Sequence, residues 1–526
     1  MSSRTRTLLI SVIALFVLVG LLIAVLLLPG VSTNNGGEEI TTAAPTTTIH
    51  FKPIAPTGTT QPTGTTNNGN ALIRSVKIIT PDETFTAEAN EKGQLGIKGH
   101  EDLKDFVNAA YFSYLTEELA DITALRLINS APEHPEDFGF DPEKGCNARL
   151  EVTYTDGSYI AFEVGDEAPS GEGYYFREDT SSAIYLVDSD FADTVSQPST
   201  SYLSMMPIAA PTTTQTNSGD MAVVRDVLLS GTVRPETISF QIWQSPRAED
   251  ENAQILTGYY LTKPFYRNFK SGTDMLTVTS YSGFVADDIA LLRPTEKDLA
   301  EYGFADPYSL CTVNLSIQKS TTTVDENGKE TTTYSFYNTF EYTIKLGNTV
   351  KDDETSRYAI VYHGDELVPM IYEVVTDSLV WAEAQYDDLA DPLLFFNYVD
   401  EVETFSLTLD GKTTAFSLTH YPDKEEADER LKVVANGNRY DTEGFRDIYQ
   451  TLMGILRVGA TTERPSGEPV LTLDIKTNTE AAHSGWVKLY RYSAGKYLAE
   501  HDTGEIYLVG AKDVEAALQQ CREFIK

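Results

Sequence analysis

The sequence predicts an α+β protein in which an N-terminal transmembrane helix precedes tandem repeated units, each an antiparallel sheet with helices on one face. A strand that begins Ile-Tyr occurs three times, at residues 184–187, 371–374 and 506–509. Turn dipeptides such as Asp156-Gly157 favour hairpins, whereas parallel strands need crossovers of a dozen or more residues. An apolar run occupies residues 8–28. Three copies of one strand therefore predict three copies of one unit.

The length of 526 residues also fits about three domains at roughly 150 residues each. Hydrophobic residues make up 41% of the chain and aromatic residues 10%, enough to build cores over most of its length. The 78 acidic residues outnumber the 40 basic ones and leave a net charge of -38. Such a charge repels phosphate backbones, so we expect no nucleic-acid partner.

The apolar run at residues 8–28 is long enough to cross the hydrocarbon core of a bilayer as a helix. Arg4 and Arg6 precede it, and Glu38 and Glu39 follow it, so the positive-inside rule places the N-terminus in the cytoplasm. We therefore expect residues 1–30 to be a cytoplasmic stub and plasma-membrane anchor, with the bulk of the chain extracytoplasmic. A cleaved signal peptide is the alternative, although its apolar region would be shorter.

Residues 31–70 are rich in Thr, Pro and Gly and are predicted to form a disordered tether. A flexible chain of this length spans on the order of 35 Å.

Three units are expected after the tether, at residues 71–224, 225–399 and 400–526. The boundaries, near Arg225 and Asp400, rest on a gapless match of residues 225–229 with residues 390–394, which continues at the same offset from Phe240 and Ile242 to Phe405 and Leu407. The second unit carries an insertion, residues 319–340, which predicts a projecting Thr-rich hairpin around Asn327-Gly328.

Two helices are predicted from apolar periodicity in the first and third units. In the first unit the stripe consists of Leu103, Phe106, Val107, Ala110, Tyr111 and Tyr114. A matching stripe in the third unit begins at Phe445 and continues through Leu452, Met453 and Leu456. A further helix, at residues 514–524, is expected to cover the last hairpin.

A loop in the first two units places aromatic residues on both sides of a glycine, at residues 137–142 and 301–307. The glycine allows close packing or a positive φ, and the Asp-Pro that follows ends the loop in an extended conformation. An acid/base carboxylate pair is the alternative interpretation, but the third unit lacks these residues. We interpret the loop as a structural turn.

Cysteine and histidine usage predicts neither disulfides nor a metal site. Cys146, Cys311 and Cys521 cannot all pair within one chain. Cys146 and Cys311 lie at matching places, each just before a strand, and are interpreted as small buried side chains. The seven histidines are scattered singly, without the spacing of zinc-binding helices.

No catalytic motif is found. The chain has no GxxxxGK[ST] loop and no GxSxG elbow, and Ser316-Ile317-Gln318-Lys319 is an SxxK without its companion elements. We therefore assign no catalytic, cofactor-binding or metal-binding residue, identify no small-molecule substrate, and expect a protein that is not an enzyme.

The repeated loop, the strands after Cys146 and Cys311, and the segments Ile371-Tyr372 and Asp391-Pro392-Leu393 resemble the bacterial domain-of-unknown-function 4340 family. The resemblance is clearest over residues 225–400. It implies a single-span protein with outside domains that accompanies ABC-type export or gliding components. We therefore expect an extracytoplasmic accessory or scaffold for a transporter permease. The alternative is a surface adhesin or a module that binds cell wall or carbohydrate.

The repeated tyrosines, Tyr185, Tyr372 and Tyr507, are expected to have packing roles. We expect each Tyr to face away from its Ile and Val neighbours, so that it covers the second face of the sheet or the sheet is buried on both faces.

Overall fold

The computed structural model describes residues 48–53, 72–141, 143, 145–208, 220–242, 258–282, 284–324, 330–426, 429–478 and 483–526. The predicted anchor at residues 8–28 and most of the predicted tether lie outside these residues. Among the described helices, none has the length and apolar character needed to cross a membrane.

The fold is rich in sheet and contains few helices. The first unit contains β1 (Ile49–His50), β2 (Ile73–Ile79), β3 (Thr84–Ala89), β4 (Leu95–Ile97), β5 (Thr123–Ala124), β6 (Arg126–Asn129), β7 (Ala148–Tyr154), β8 (Tyr159–Glu167), β9 (Tyr174–Glu178) and β10 (Ile184–Val187). The second contains β11 (Met221–Ser230), β12 (Ile238–Ile242), β13 (Tyr259–Lys263), β14 (Arg267–Asn268), β15 (Asp288–Leu292), β16 (Ser309–Val324), β17 (Glu330–Val350), β18 (Asp353–His363), β19 (Glu366–Leu367) and β20 (Met370–Val375). The third contains β21 (Val402–Leu409), β22 (Lys412–His420), β23 (Leu431–Ala435), β24 (Asn438–Tyr440), β25 (Arg457–Ala460), β26 (Leu471–Thr477), β27 (Gly485–Ser493), β28 (Lys496–His501) and β29 (Ile506–Gly510).

The three large sheets share one strand order, except that sheet 1 has one strand fewer at its first edge and that β19 pairs with β18 beside the main path of sheet 2. Sheet 1 runs β4-β3-β2-β7-β8-β9-β10-β6, sheet 2 runs β14-β13-β12-β11-β16-β17-β18-β20-β15, and sheet 3 runs β24-β23-β22-β21-β26-β27-β28-β29-β25. All pairings between the described strands are antiparallel, as the hairpin signals predicted. The three Ile-Tyr strands, β10, β20 and β29, take the same place, next to the last edge strand. One sheet architecture is therefore built three times along the chain.

The helices are α1 (Ala109–Ala120), α2 (Ser189–Val195), α3 (Thr279–Ser282), α4 (Glu296–Glu301), α5 (Tyr386–Leu389), α6 (Thr442–Met453) and α7 (Ala511–Phe524). Short 3₁₀ turns occupy Glu101–Phe106, Pro135–Phe138, Ser199–Tyr202, Asp274–Leu276, Thr376–Ser378 and Val399–Glu401. The helices of the second unit are only one or two turns long.

The predicted helix of the first unit is wrong in its position. Residues 101–106 form a 3₁₀ turn, Val107 is extended, and α1 starts after Asn108, whose side chain accepts a hydrogen bond from the backbone of Tyr111. Because the helix begins at this cap, it buries a different set of side chains from the predicted stripe. Tyr114, which belongs to the predicted stripe, is 57% exposed. In α6 the predicted stripe is confirmed from Phe445 to Leu452, whereas Leu456 lies beyond the helix and is exposed. The predicted C-terminal helix is α7.

The gapless match of residues 225–229 with 390–394 is also wrong. The first stretch lies inside β11, whereas the second follows α5 and precedes sheet 3, which begins only at Val402. The predicted boundary at Arg225 falls within β11, which starts at Met221. The two stretches share only one Asp and two Leu residues, a match too short to identify equivalent places in the fold.

The repeated Tyr shares a face with Val, contrary to expectation. Tyr372 and Val374 lie two residues apart in the main core, while Ile371 points the other way into a small core with Phe304 and Ile360. Sheet 2 is therefore buried on both faces at this strand.

The second core of sheet 2 is closed by the predicted glycine loop. Gly303 has a φ of 90°, and a Cβ on Gly347 in β17 would lie 2.2 Å from the carbonyl oxygen of Tyr302. Gly139 and Gly165 repeat this packing in the first unit. By strand register, the residue of sheet 3 that corresponds to Gly347 is Tyr490. A ring thus occupies the place where the loop packs in the other units, which explains why the third unit lacks the loop.

The predicted hairpin insertion is formed by the ends of β16 and β17, paired from Lys319 and Ser335 out to Val324 and Glu330. Residues 319–324, which lead towards the tip of this hairpin, are exposed. The Asn327-Gly328 turn lies outside the described residues.

The cysteines are unpaired, and two of them are buried. Cys311 lies inside β16, not before it, while Cys146 precedes β7 by two residues and is only partly buried. Burial raises the pKa of the Cys146 and Cys521 thiols to about 11, so both are held as thiols at neutral pH.

A short extended segment lies against the end of each sheet. We call these the lead-in segments: residues 49–51, 205–208 and 392–394. One backbone hydrogen bond of 2.8–2.9 Å joins each lead-in segment to the chain just before, or at the start of, the last edge strand. The N–H of Phe51 donates to the carbonyl oxygen of Ile122, that of Ala286 to Met205, and that of Arg457 to Pro392. The first lead-in segment corrects the tether prediction, because Ile49 and Phe51 are apolar residues that dock on the first unit.

Sheets 1 and 2 share one continuous core, in which Leu150 and Phe176 belong to the same cluster as Phe240 and Tyr372. Sheet 3 has its own core with α6 and α7, from Leu394 to Cys521.

Candidate functional site

A cavity of about 90 Å³ lies between the second and third units. We call it the junction cavity. It is lined by Tyr266, Arg267, Asn268, Asp391, Leu393, Leu394, Phe395, Phe396, Asn397, Glu401, Ile475, His483, Gly485, Trp486, Val487, His501, Asp502 and Thr503. The lining comes from five places in the fold: β14, the third lead-in segment with the chain beside it, β26, the start of β27, and the end of β28.

Arg267 crosses from the second unit to the third. Its Nε donates to the carbonyl oxygen of Asp391 at 2.6 Å and its Nη1 to Glu505 Oε2 at 2.8 Å, and its Nη2 donates to the carbonyl oxygen of Leu393. Burial by itself would lower the pKa of Arg267, but the neighbouring Tyr507 and Glu505 raise it above the ordinary value. Arg267 is therefore a permanent buried cation that donates to the segment 391–393 and to Glu505 of the third unit.

Glu505 accepts from two guanidinium groups. Its second oxygen is bonded by Arg457, which also bonds Asp387 of the second unit. The Arg457 guanidinium lies 5.3 Å from the ring centre of Tyr386 and 5.0 Å from that of Tyr507. Glu505 is 1% exposed, so the carboxylate depends on these two partners for its solvation.

Tyr507 of the repeated strand contacts His501, which lines the junction cavity. The Tyr507 hydroxyl lies 2.9 Å from His501 Nε2 and donates to the carbonyl oxygen of Leu394 at 3.2 Å. Burial, with Arg267, His483 and Arg457 nearby, holds the pKa of His501 well below its ordinary value. His501 is therefore a neutral imidazole at neutral pH.

The mouth of the junction cavity is aromatic and acidic. His483 Nε2 lies 3.1 Å from Asp502 Oδ2, and its ring is 5.4 Å from that of Tyr266. Trp486 is half-buried, and the Lys488 ammonium lies 4.0 Å from the centre of its ring. Tyr266 and Phe396 are also half-buried and line the same opening.

Two buried carboxyl groups complete the lining. Asp391 is 3% and Glu401 2% exposed. Asp391 Oδ1 accepts from the backbone N–H of Leu393 at 2.8 Å, and Glu401 Oε2 from that of Tyr398 at 2.9 Å. Burial raises the pKa of Asp391 despite that hydrogen bond and despite Arg267. The cavity thus offers ring faces and carboxylates, a combination suited to noncovalent binding.

The sequence did not predict this site. The sequence predicts a packing role for Tyr507, and it presents His483 and His501 only as two of the seven scattered histidines. Nothing in the sequence marks Arg267 or Glu505, because they are 238 residues apart and meet only through the packing of two units. Of the SxxK residues, Ser316 is buried in β16 with its Oγ 2.9 Å from Thr339 Oγ1. Within the described residues, no group of three His, Cys, Asp or Glu side chains is arranged to hold a metal ion.

Comparison with known proteins finds one family. No curated protein and no solved structure matches the chain. The region that matches a family model begins after β4 and ends just after the Ser199–Tyr202 turn. It therefore lies in the first unit and not in the second, where the sequence resemblance is clearest. Over residues 99–203 the chain matches, and so resembles, the family described as Domain of unknown function (DUF4340).

Proposed function

We propose that this protein is a non-enzymatic, membrane-anchored extracytoplasmic accessory or scaffold protein, working as an auxiliary subunit of an ABC-type transporter. In this proposal residues 8–28 cross the plasma membrane with the N-terminus in the cytoplasm. The three tandem α+β units, each an antiparallel sheet with helices on one face, lie outside the cell. The permease is the protein partner, and no nucleic acid or cofactor takes part.

The observation that carries the proposal is the way in which the three units are joined. Sheets 1 and 2 share a core, and the second and third units are connected by the buried Arg267–Glu505 pair. Units joined by exposed linkers move freely, whereas a shared core and a desolvated ion pair hold surfaces at fixed distances. A scaffold for a multi-subunit transporter requires such fixed distances.

The test is capture of the full chain from membranes dissolved in mild detergent. We expect a permease and its ATPase to be recovered with it. The variant Glu505→Ala, which removes the shared partner of two buried guanidinium groups, is expected to reduce this recovery. Asp410→Ala is the matched control, because it removes a carboxylate that pairs with Arg522 at the surface of the third unit alone. Repeated recovery without any permease would count against the proposal.

A second candidate function, binding of cell wall or carbohydrate, is favoured by one observation. The hairpin insertion carries Tyr334 at 60% exposure and Phe340 at 41%. Exposed rings on a projecting arm are the platforms on which sugars stack. Binding of the soluble part to purified wall material, lost in Tyr334→Ala and retained in Tyr114→Ala, would support this function over the scaffold.

A further inference from the structure

We propose that the junction cavity binds a small organic ammonium ion. This proposal is independent of the scaffold function, because it concerns only the chemistry of the cavity between the second and third units.

The first argument is size. A volume of about 90 Å³ is several times the roughly 10–15 Å³ that one water molecule needs. That room suits an alkylated ammonium head group. The opening past Tyr266 and Trp486 leaves space for whatever the head group is attached to.

The second argument is charge. Asp391, Glu401 and Asp502 line the cavity, and the one lining guanidinium, Arg267, is already paired with Glu505. His501 is neutral, so it does not add a positive charge. With a net charge of -38 on the whole chain, anionic ligands are disfavoured both at a distance and in the cavity. A cation would instead compensate the Asp391 carboxylate, which is 3% exposed and whose burial is costly.

The third argument is the aromatic lining. A cation gains from contact with ring faces, and quaternary ammonium groups are recognised by several rings at once. Tyr266, Phe396 and Trp486 supply three half-buried rings at the opening. The same neighbourhood already packs cations on rings, since Arg267 lies 5.0 Å from the Tyr507 centroid and Lys488 lies 4.0 Å from that of Trp486.

The experiment is a calorimetric titration of the purified full chain in mild detergent with choline and with tetramethylammonium, at constant ionic strength. The neutral isostere 3,3-dimethyl-1-butanol, which has the shape of choline without its charge, is the matched ligand control. We expect saturable binding of both cations and binding of the isostere that is roughly tenfold or more weaker.

Two variants test the recognition groups. Asp502→Asn keeps the shape of the side chain and removes its charge, and Trp486→Leu removes one ring; each is expected to weaken choline binding roughly tenfold. Tyr114→Ala, which removes an exposed ring of the first unit, should leave binding unchanged. Circular dichroism and the unfolding midpoint establish that each variant is folded. Equal binding of the isostere, or undiminished choline binding by folded Asp502→Asn, overturns the proposal.

A last arm distinguishes a free solute from a lipid head group as the source of the ammonium. The titration is repeated with the chain in phosphatidylcholine vesicles and in phosphatidylglycerol vesicles. Weaker choline binding only in phosphatidylcholine identifies the head group as the ligand, and equal binding in both identifies the free solute. Absence of saturable choline binding in detergent and in both vesicles overturns the proposal.

Discussion

Arg267 Nη1 donates to Glu505 Oε2 at 2.8 Å across the boundary between the second and third units, and both side chains are almost completely buried. Burying two charges is costly, and the cost is offset only when the remaining donors and acceptors are bonded. Here the pair has such further bonds, because Arg267 also donates to two carbonyl oxygens and Glu505 also binds Arg457. The junction is therefore stable as a network and vulnerable to the loss of any one member.

Glu505→Ala is expected to be the most damaging single change at this junction. It leaves the guanidinium groups of Arg267 and Arg457 without their common carboxylate, and breaking a buried pair in this way costs about 3–5 kcal/mol. Urea unfolding followed by hydrogen exchange in β14 and β29 measures the loss. The control Asp410→Ala should leave both the midpoint and the exchange pattern unchanged, because its carboxylate is exposed. An equal effect of the two variants would contradict the role assigned to the network.

Tyr372→Ala is expected to cost about 3 kcal/mol, the typical loss for a large buried aromatic side chain. Tyr372 is fully buried, its ring lies 6.1 Å from that of Phe284, and it belongs to the core that sheets 1 and 2 share. Hydrogen exchange should therefore accelerate in the first two units together, while sheet 3, which has a separate core, keeps its protection. Faster exchange confined to sheet 2 would show that the shared core does not couple the units. A folded, equally stable variant that has lost partner binding would place Tyr372 on a functional surface instead.

The sequence predicts those parts of the fold that depend on local residue patterns. Period-two alternation and turn dipeptides located the hairpins, so the β7–β8 pair and the β16–β17 arm were found in advance. It could not locate α1, because Asn108 caps a helix that an equally good apolar stripe placed six residues earlier, from Leu103. The lead-in segments were missed for a different reason: a stretch as short as Ile49 to Phe51 has no periodicity, and it is held by tertiary contacts with Phe176, Tyr185 and β5. The junction cavity depends on contacts between residues far apart in sequence, so no local sequence pattern predicts it.

Gly347→Ala is expected to destabilise the second unit by about 1–3 kcal/mol, the usual cost of overpacking. The added Cβ would lie 2.2 Å from a backbone oxygen of Tyr302, so the whole glycine loop must move. Gly96→Ala is the matched control, since a Cβ at that strand position meets nothing within 4 Å. Chemical unfolding of both variants checks the prediction. Equal midpoints would mean that the loop does not pack firmly on β17.

The pH dependence of stability should carry the signature of His501. Its pKa in the folded chain lies well below the ordinary 6.5, so below that pH the unfolded chain binds a proton that the folded chain does not. Stability is therefore fully present above pH 6.5 and is lost as the pH falls towards the folded pKa, with a slope approaching ~1.4 kcal/mol per pH unit. Unfolding of the parent and of His501→Gln between pH 7.5 and 5.5 should show this extra slope only in the parent. His134→Gln, at an exposed histidine, is the control and should follow the parent.

Phe51→Ala tests whether the first lead-in segment is an integral part of the first unit. The Phe51 ring lies 4.8 Å from that of Phe176 and 5.0 Å from that of Tyr185, and its backbone N–H bonds the carbonyl oxygen of Ile122 at 2.9 Å. Because the side chain is only half-buried, its removal is expected to cost about 1 kcal/mol, less than the loss for a fully buried aromatic. The local effect should be larger: amide exchange at residues 49–51 and in β5 should rise sharply, while β7 and β8 stay protected. His50→Gln, which changes only an exposed pair with Asp121, should leave that exchange unchanged. If Phe51→Ala exchanges like the parent at residues 49–51, the segment is held by its backbone alone, and the first unit begins at β2.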